Sequence, residues 1–185
     1  IIDHKLITLG ELCEIRYGTR IVKNKINTGR YNVYGSGEPS FLTDTFNRSG
    51  FNIIIGRFAL SLKCVRVIDD EKLFLNDSGL TIHSTRPDIL DKYIGYYLLQ
   101  QQNIIYNCAR GMAQKNLDCK RFKTIKIRIP PLEIQNQIIA ACDRRNEMIA
   151  KLETFIEELK QEAKEILSDA LRNAPVEPDV EDIYE

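Results

Sequence analysis

An uninterrupted stretch without glycine or proline, residues 132–172, constrains this chain more than any other feature. It follows directly after Pro130 and Pro131, which stop a preceding strand and favour the first turn of a helix. At about 1.5 Å per residue, a helix of this length measures about 60 Å. A domain of about 130 residues has a radius of gyration of only about 14 Å. We therefore predict a globular domain, residues 1–130, followed by one long helix.

Apolar residues recur in this stretch at alternating intervals of three and four residues. The positions of this seam are Ile149, Leu152, Ile156, Leu159, Ala163, Ile166 and Ala170. Such a heptad repeat is typical of a helix that forms a coiled coil with another helix. We predict a spacer and dimerisation helix at residues 131–173 and an acidic, disordered tail at residues 174–185. The alternative is an amphipathic helix that folds back on its own domain.

Charge is divided unevenly along the chain. Residues 1–131 carry 20 Lys and Arg against 12 Asp and Glu, whereas residues 132–185 carry 6 against 14. The formal net charge of zero is therefore the sum of +8 and −8. A basic globular part attached to an acidic helix indicates a nucleic-acid partner for the globular part.

The globular part has the pattern of an α+β domain. Five segments are rich in β-branched and aromatic residues, and they lie at 31–34, 51–55, 63–68, 73–75 and 80–82. Their close spacing favours a mixed, largely antiparallel sheet. We predict helices at 8–15 and 88–102, capped by Thr8 and Asp88, and a short helix near 117–122. Residues 124–129 alternate strictly, which predicts a strand with one apolar and one basic face.

Composition argues against a disulfide-bonded protein, a metalloprotein and a membrane protein. The five cysteines are widely spaced and there are only two histidines, so we expect free, mostly buried thiols and no metal site. No apolar run reaches the roughly 18 residues that a membrane span needs. This absence, together with the lack of a charged-then-apolar signal segment, leads us to expect a cytoplasmic protein. Because no catalytic constellation or glycine-rich cofactor loop is present, we predict a non-catalytic protein without a cofactor.

A basic segment lies between residues 110 and 128, with seven Lys and Arg residues and one acid, Asp118. Such cations neutralise DNA phosphates, and the amide of Gln114 can pair with adenine. Gly111 would let the backbone approach a ligand closely. The alternatives are a solvated surface and, for Gln114, a hydrogen bond that braces its own loop.

Basic residues in the loops beside the predicted strands could line the same cleft. The predicted DNA-binding residues are Arg20, Lys23, Arg57, Lys63, Arg110, Gln114, Lys115, Asn116 and Lys120. Arg48 is a further candidate of the same kind. The alternative for any one of these residues is an ordinary position on the solvated surface. Residues 34–37, Tyr-Gly-Ser-Gly, lack the spacing of a phosphate-binding loop, so we interpret them as a structural turn.

Six sequence blocks together resemble the specificity subunits of type I restriction-modification systems. They are Leu6-Ile-Thr-Leu-Gly-Glu-Leu12, Tyr31-Asn-Val-Tyr-Gly-Ser-Gly37, Ile53-Ile-Ile-Gly-Arg57, Asn76-Asp-Ser-Gly-Leu-Thr-Ile82, Gly111-Met-Ala-Gln114 and, most specific of all, Ile127-Arg-Ile-Pro-Pro-Leu-Glu-Ile-Gln-Asn-Gln-Ile138. The chain resembles one half of such a subunit over residues 6–171. It departs from the family after Gly56-Arg57, where Phe58-Ala-Leu-Ser-Leu62 replaces the usual glycine-rich stretch.

The resemblance implies a target recognition domain that reads a half-site in double-stranded DNA, followed by a spacer helix. In such subunits two antiparallel spacer helices hold two recognition domains apart, and DNA methyltransferase and endonuclease subunits dock on this frame. A chain with one recognition domain is expected to form an antiparallel homodimer, which favours a symmetric, interrupted DNA site. Two alternatives are the C-terminal recognition domain of a single-chain DNA methyltransferase or restriction enzyme, and a scaffold that does not bind DNA.

Overall fold

The structure, a computed structural model, describes residues 5–23, 29–69 and 72–172. The chain divides into two compact units between Ala140 and Ala141. The strands are β1 (Lys5–Thr8), β2 (Cys13–Tyr17), β3 (Tyr31–Tyr34), β4 (Phe41–Thr43), β5 (Asn52–Gly56), β6 (Val65–Ile68), β7 (Phe74–Leu75), β8 (Gly79–Ser84), β9 (Ala109–Arg110), β10 (Asn116–Leu117) and β11 (Lys126–Ile129). The helices are α1 (Leu9–Leu12), α2 (Asp91–Gln100), α3 (Gln102–Tyr106), α4 (Cys119–Lys123) and α5 (Leu132–Arg172). The predicted acidic tail, residues 174–185, lies outside the described residues.

A four-stranded antiparallel sheet, ordered β2-β8-β5-β6, forms the centre of the first unit. Successive side chains of each strand point to opposite faces of the sheet. Ile53, Ile55 and Ile82 face the main core, where they pack with Ile94 and Leu98 of α2. β-Branched side chains suit this position because they pack well on a pleated surface. The sheet therefore buries most of one face, against which α2 packs.

A three-stranded sheet, ordered β4-β3-β7, covers part of the other face. Ile54 points to this side and packs with Tyr34, Leu73 and Leu75 in a second, smaller cluster. The strands β3 and β7 are parallel, whereas β3 and β4 are antiparallel. The prediction of a mixed, largely antiparallel α+β domain is confirmed.

The predicted alternating strand is also confirmed. In β11 the side chains of Ile127 and Ile129 are buried, and those of Lys126 and Arg128 are exposed. The strand pairs with β1 in a separate two-stranded sheet, in antiparallel register. The hydroxyl of Tyr93 in α2 donates a hydrogen bond to the carbonyl of Arg128, which ties this pair to the main core.

Two helix predictions need correction. The predicted helix at 8–15 is only one turn long, although Thr8 and Glu11 do form a capping box at its start. Residues 13–17 form β2 instead, because pairing with β8 satisfies their backbone and places Cys13 against the core. The second helix begins at Asp91, and Asp88 does not cap it, since its carboxylate pairs with Arg86. The short helix predicted near 117–122 corresponds to α4, which begins at Cys119 and is capped by Asp118.

The long helix α5 spans 41 residues, as the absence of glycine and proline predicts. Near its start Gln135 is completely buried. Its Oε1 accepts a hydrogen bond from the backbone N–H of Leu90 at 2.9 Å, and its Nε2 donates to the carbonyls of Asp88 and Pro130 at 3.0 Å each. One side chain thus fastens the first turns of α5 to the segment before α2.

All five cysteines are free, and Cys13, Cys64 and Cys108 are buried. Burial raises the pKa of Cys13 to about 12 and that of Cys64 to about 11. These thiols therefore stay protonated at neutral pH and act as small apolar core residues.

Candidate nucleic-acid interface

Several connecting segments meet at one end of the central sheet. The strands β2 and β5 end there at Tyr17 and Gly56, and β8 begins there at Gly79. The parallel strands β3 and β7 end at the same side, where the N–H of Asn76 donates to the carbonyl of Tyr34. We name this end the loop cluster, and it comprises residues 17–23, 35–38, 57–63, 76–78 and 109–117.

Glycines allow these loops to approach one another closely. A β-carbon on Gly18 would lie 2.0 Å from the carbonyl oxygen of Asn76, and one on Gly35 would lie 2.2 Å from Oγ of Ser78. The hydroxyl of Ser36 donates to the carbonyl of Ser78 and accepts from the backbone N–H of Arg57. This bracing agrees with the interpretation of residues 34–37 as a structural turn.

Arg57 lies in the middle of the loop cluster. Its Nη1 donates to the carbonyl of Asp77 at 2.6 Å. The guanidinium carbon lies 4.5 Å from the ring centroid of Tyr17 and 4.9 Å from that of Phe58, both within cation–π range. In the part of the chain that the structure describes, no carboxylate pairs with Arg57, so its positive charge is uncompensated there.

The β9–β10 hairpin packs on the loop that follows β5. The N–H of Leu117 donates to the carbonyl of Arg57, and the N–H of Leu60 donates to that of Lys115, both at 2.8 Å. The side-chain oxygen of Asn116 accepts from the N–H of Ala59 at 3.3 Å. Ala59 has a positive φ of 48°. Asn116 therefore braces two loops, in addition to its predicted role in binding.

The tip of this hairpin is exposed. Gly111 has a φ of 106°, a conformation that favours glycine, and Met112 is fully exposed. The side chain of Gln114 is exposed and makes no hydrogen bond to any described residue. Its amide is therefore available to a ligand. Arg110, at the base of the hairpin, has a side chain that is 72% exposed.

The hairpin leads into α4 through Asp118. Its carboxylate accepts from the N–H groups of Lys120 and Arg121 and lies 3.7 Å from Nε of Arg110. Partial desolvation acts to raise the pKa of Asp118, but these N–H donors and the nearby arginines lower it overall. The pKa of Tyr17 is raised mainly by a hydrogen bond with the side chain of Cys119 and, to a smaller extent, by partial burial. The start of α4 thus adjoins the loop cluster.

The remaining predicted residues also lie at this end. Arg20 and Lys23 are exposed in the segment after β2, which is held by hydrogen bonds between Ile21 and the side chain of Asn76. Lys63 is exposed just before β6. Lys120 is exposed on the first turn of α4. The structure therefore brings all nine predicted residues into the loop cluster or next to it.

Comparison with known families identifies the fold. The family model described as the type I restriction modification DNA specificity domain matches residues 2–161. The chain belongs to this family. The resemblance drawn from the sequence blocks is thereby confirmed, and the chain carries a DNA specificity domain.

Solved structures have the same fold as this specificity domain. The S subunit of a type I restriction-modification system from M. genitalium is 24% identical, with a TM-score of 0.73 over 86% of this chain and 43% of that one. The HsdS subunit from Thermoanaerobacter tengcongensis is 19% identical, with a TM-score of 0.54 over 92% and 45%. A chain from a structure of an assembled type I system is 20% identical, with a TM-score of 0.63 over 88% and 43%. This chain therefore spans less than half the length of each of these proteins.

Two features of the specificity domain were not predicted from the sequence. The aromatic rings of Tyr17 and Phe58 enclose the guanidinium of Arg57, and only the three-dimensional pairing of β2 with β8 shows that they are close. Arg48 touches the loop cluster only at its edge, through a hydrogen bond from Nη2 to the carbonyl of Tyr17. Its Nε donates to Thr81 Oγ1, on the face of the sheet opposite the main core.

Among the described residues, no helix has both the length and the apolar character to cross a bilayer.

In the second unit, the predicted seam on α5 is exposed. Its large members, Ile149, Leu152, Ile156, Leu159 and Ile166, are between 44% and 63% exposed. Phe155, Leu167 and Leu171 widen the apolar surface and are also more than half exposed.

Proposed function

We propose that this chain is the non-catalytic specificity module of a type I-like restriction-modification system, and that its loop cluster reads a half-site in double-stranded DNA. The observation that carries the proposal is the convergence of the basic loops and the β9–β10 hairpin at one end of the sheet. Membership of the DNA specificity domain family supports the same conclusion. The proposed spacer helix, residues 131–173, and recognition domain, residues 1–130, divide these roles.

The residues of the loop cluster have different parts in this proposal. Exposed cations, among them Lys23, Lys63, Lys115 and Lys120, hold the phosphate backbone, a contact that positions the protein without reading sequence. Gln114 reads a base, because its unpaired amide can donate and accept in the major groove. One good bidentate contact of this kind discriminates against a wrong base by about 1–3 kcal/mol.

The exposed seam of α5 supports pairing with a second copy of the chain, in antiparallel orientation. Burial of the exposed half of one Leu or Ile is worth about 1 kcal/mol, so ten such side chains from two helices give on the order of 10 kcal/mol. Association itself costs about 4–15 kcal/mol. We therefore expect a dimer that forms at high concentration and dissociates on dilution. Two identical readers then favour a symmetric, interrupted site.

The acidic helix also suits docking of DNA methyltransferase and endonuclease subunits, which would supply the catalytic activity. The alternative, that the chain is the C-terminal recognition domain of a single-chain enzyme, makes the same use of the loop cluster. It differs in placing a catalytic domain upstream. The upstream sequence of the natural gene distinguishes the two.

Duplex titration tests the DNA-binding part of this proposal. We expect the chain to bind a fluorescent duplex at about 50 mM salt and to lose affinity steeply towards about 200 mM. Each phosphate contact that is removed should reduce the slope of log affinity against log salt by about one. A Lys115→Gln, Lys120→Gln variant should therefore have a slope lower by about two. A matched Lys164→Gln variant on α5 should keep the original slope.

Salt-insensitive or absent binding would instead favour the scaffold alternative. Equal slopes for the two variants would show that neither Lys115 nor Lys120 contacts a DNA phosphate. Sedimentation of an Ile156→Glu variant tests the pairing, because a charge in the seam should produce a monomer. Gln161→Glu, which adds the same charge outside the seam, should remain a dimer.

A further inference from the structure

A second polar site lies on the face of the central sheet opposite the main core. It is a cavity of about 430 Å³ whose lining includes Arg16, Arg48, Ser49, Asn52 and His83. Arg16 and His83 directly follow Ile15 and Ile82, whose side chains pack on the main core, so their own side chains lie on the other face of the sheet. The cavity is therefore distinct from the Arg57 environment in the loop cluster.

Arg48 is the central cation of this cavity. Its guanidinium donates to Thr81 Oγ1 at 2.9 Å and to the carbonyls of Asn47 at 2.9 Å and Tyr17 at 3.0 Å. All of these acceptors are neutral. Within residues 5–23, 29–69 and 72–172 it has no carboxylate partner. A partly buried charge without a counter-charge is costly, and an anion in the cavity would offset that cost.

The other charged groups around the cavity pair with one another, which leaves Arg48 as the charge without a counter-charge. Arg16 pairs with Glu14 at 2.8 Å, but both side chains are more than half exposed, so solvent screens this pair. His83 Nδ1 lies 3.1 Å from Asp91, which leaves Nε2 as its remaining polar atom. Desolvation by burial, and then the charge of Arg16, lower the pKa of Arg48, which shows two cations close together.

We propose that this cavity binds a phosphate group through Arg16, Arg48 and His83. A phosphate group accepts hydrogen bonds from arginine N–H groups, and it supplies the negative charge that Arg48 lacks. In a neutral His83 ring whose Nδ1–H donates to Asp91, Nε2 can only accept, so it contacts the P–OH hydroxyl of inorganic phosphate. The phosphate is either free in solution or part of a DNA backbone. Only the second source depends on the function proposed above. Because Arg48 also bonds the carbonyl of Tyr17, an occupied site would stabilise the end of β2 at the loop cluster.

Histidine resonances measure this binding directly, because the chain contains only two histidines. We expect inorganic phosphate, at constant ionic strength, to shift the His83 imidazole signals saturably, with a dissociation constant on the order of 1 mM. The variant Arg16→Gln should weaken this binding by about tenfold, since a charged hydrogen bond is lost. Arg128→Gln, an exposed arginine on β11, serves as the matched control and should bind like the parent.

Duplex titration then distinguishes the two sources of phosphate. If a DNA phosphate occupies the cavity, Arg16→Gln should lower the salt slope by about one and inorganic phosphate should compete with the duplex. If the phosphate is free, the slope should be unchanged while the His83 shift persists. If the chain does not bind duplex at all, the function proposed above fails, and a saturable His83 shift would still support the phosphate site.

The absence of a saturable shift at His83 would overturn the site, as would equal phosphate affinity in the parent and Arg16→Gln. His83→Gln provides a second variant, with binding followed by calorimetry. Both substitutions are at partly or largely exposed side chains, and matching melting curves would show that the variants are folded.

Discussion

Gln135 provides the sharpest test of how α5 is joined to the domain. Truncation to alanine would leave three backbone groups without their partner, the N–H of Leu90 and the carbonyls of Asp88 and Pro130. A buried group that loses its hydrogen bond costs about 1–3 kcal/mol, and two of these three hydrogen bonds are only partly buried, which lowers their share. We therefore expect Gln135→Ala to lower the free energy of unfolding by about 3–4 kcal/mol. That is a large fraction of the about 5–15 kcal/mol that stabilises a typical domain.

Urea denaturation at one fixed, low protein concentration measures this loss, because dimerisation otherwise adds to the apparent stability. Gln137→Ala is the matched control, since Gln137 is exposed two residues further along the same helix. It should change the free energy of unfolding by less than about 0.5 kcal/mol. Equal midpoints for the two variants would refute the reasoning.

A glutamate at the same position adds a pH test. The carboxylate of Gln135→Glu can accept from Leu90 but cannot donate to the two carbonyls, so burial and these oxygens should raise its pKa in the folded state. A raised pKa in the folded state means that stability is highest below the pKa of the unfolded chain and falls as pH rises through the folded value. The variant should therefore be less stable at pH 8 than at pH 5, relative to the parent chain.

Three further substitutions test the loop cluster. Gly18→Ala places a β-carbon against the backbone of Asn76 and should cost about 2–3 kcal/mol, whereas Gly37→Ala, with open space around it, should be nearly neutral in the same denaturation assay. Ala59→Val should lower the free energy of unfolding by about 1–2 kcal/mol relative to Ala59→Gly, because a β-branched residue tolerates the positive φ poorly. Asp118→Ala should be less stable than the parent at pH 7, and the difference should vanish as pH falls through the lowered pKa of Asp118, because protonation removes the same cap from the parent.

Elements with a strong local pattern could be predicted from the sequence. The helix α5 and the strand β11 follow from periodicity and from two prolines, which act within a few residues. Residues 13–17 could not be assigned correctly in this way. Their apolar spacing also fits a helix. They form a strand because they pair with β8, which lies about 70 residues away in sequence.

The candidate site shows the same limit. The sequence indicated the basic segment 110–128 and the candidate Gln114, whereas the β9–β10 hairpin and the exposure of Gln114 come from the structure. Arg48, in contrast, looks like any other basic loop residue in the sequence, and only its bond to Thr81, 33 residues away, shows that it is internal to the second face of the sheet. Gln135 is similar, since the backbone groups that it binds near α2 lie 45 and 47 residues away.

Selection from a library of random duplexes tests the central claim most directly, because it measures sequence reading and pairing together. The chain should enrich a motif of two identical half-sites in inverted orientation, separated by a spacer of fixed length, and Gln114→Ala should relax one position in each half. Salt-sensitive retention of DNA without any enriched motif would contradict the claim that the loop cluster reads sequence. Enrichment of a single, unpaired half-site would contradict pairing through α5.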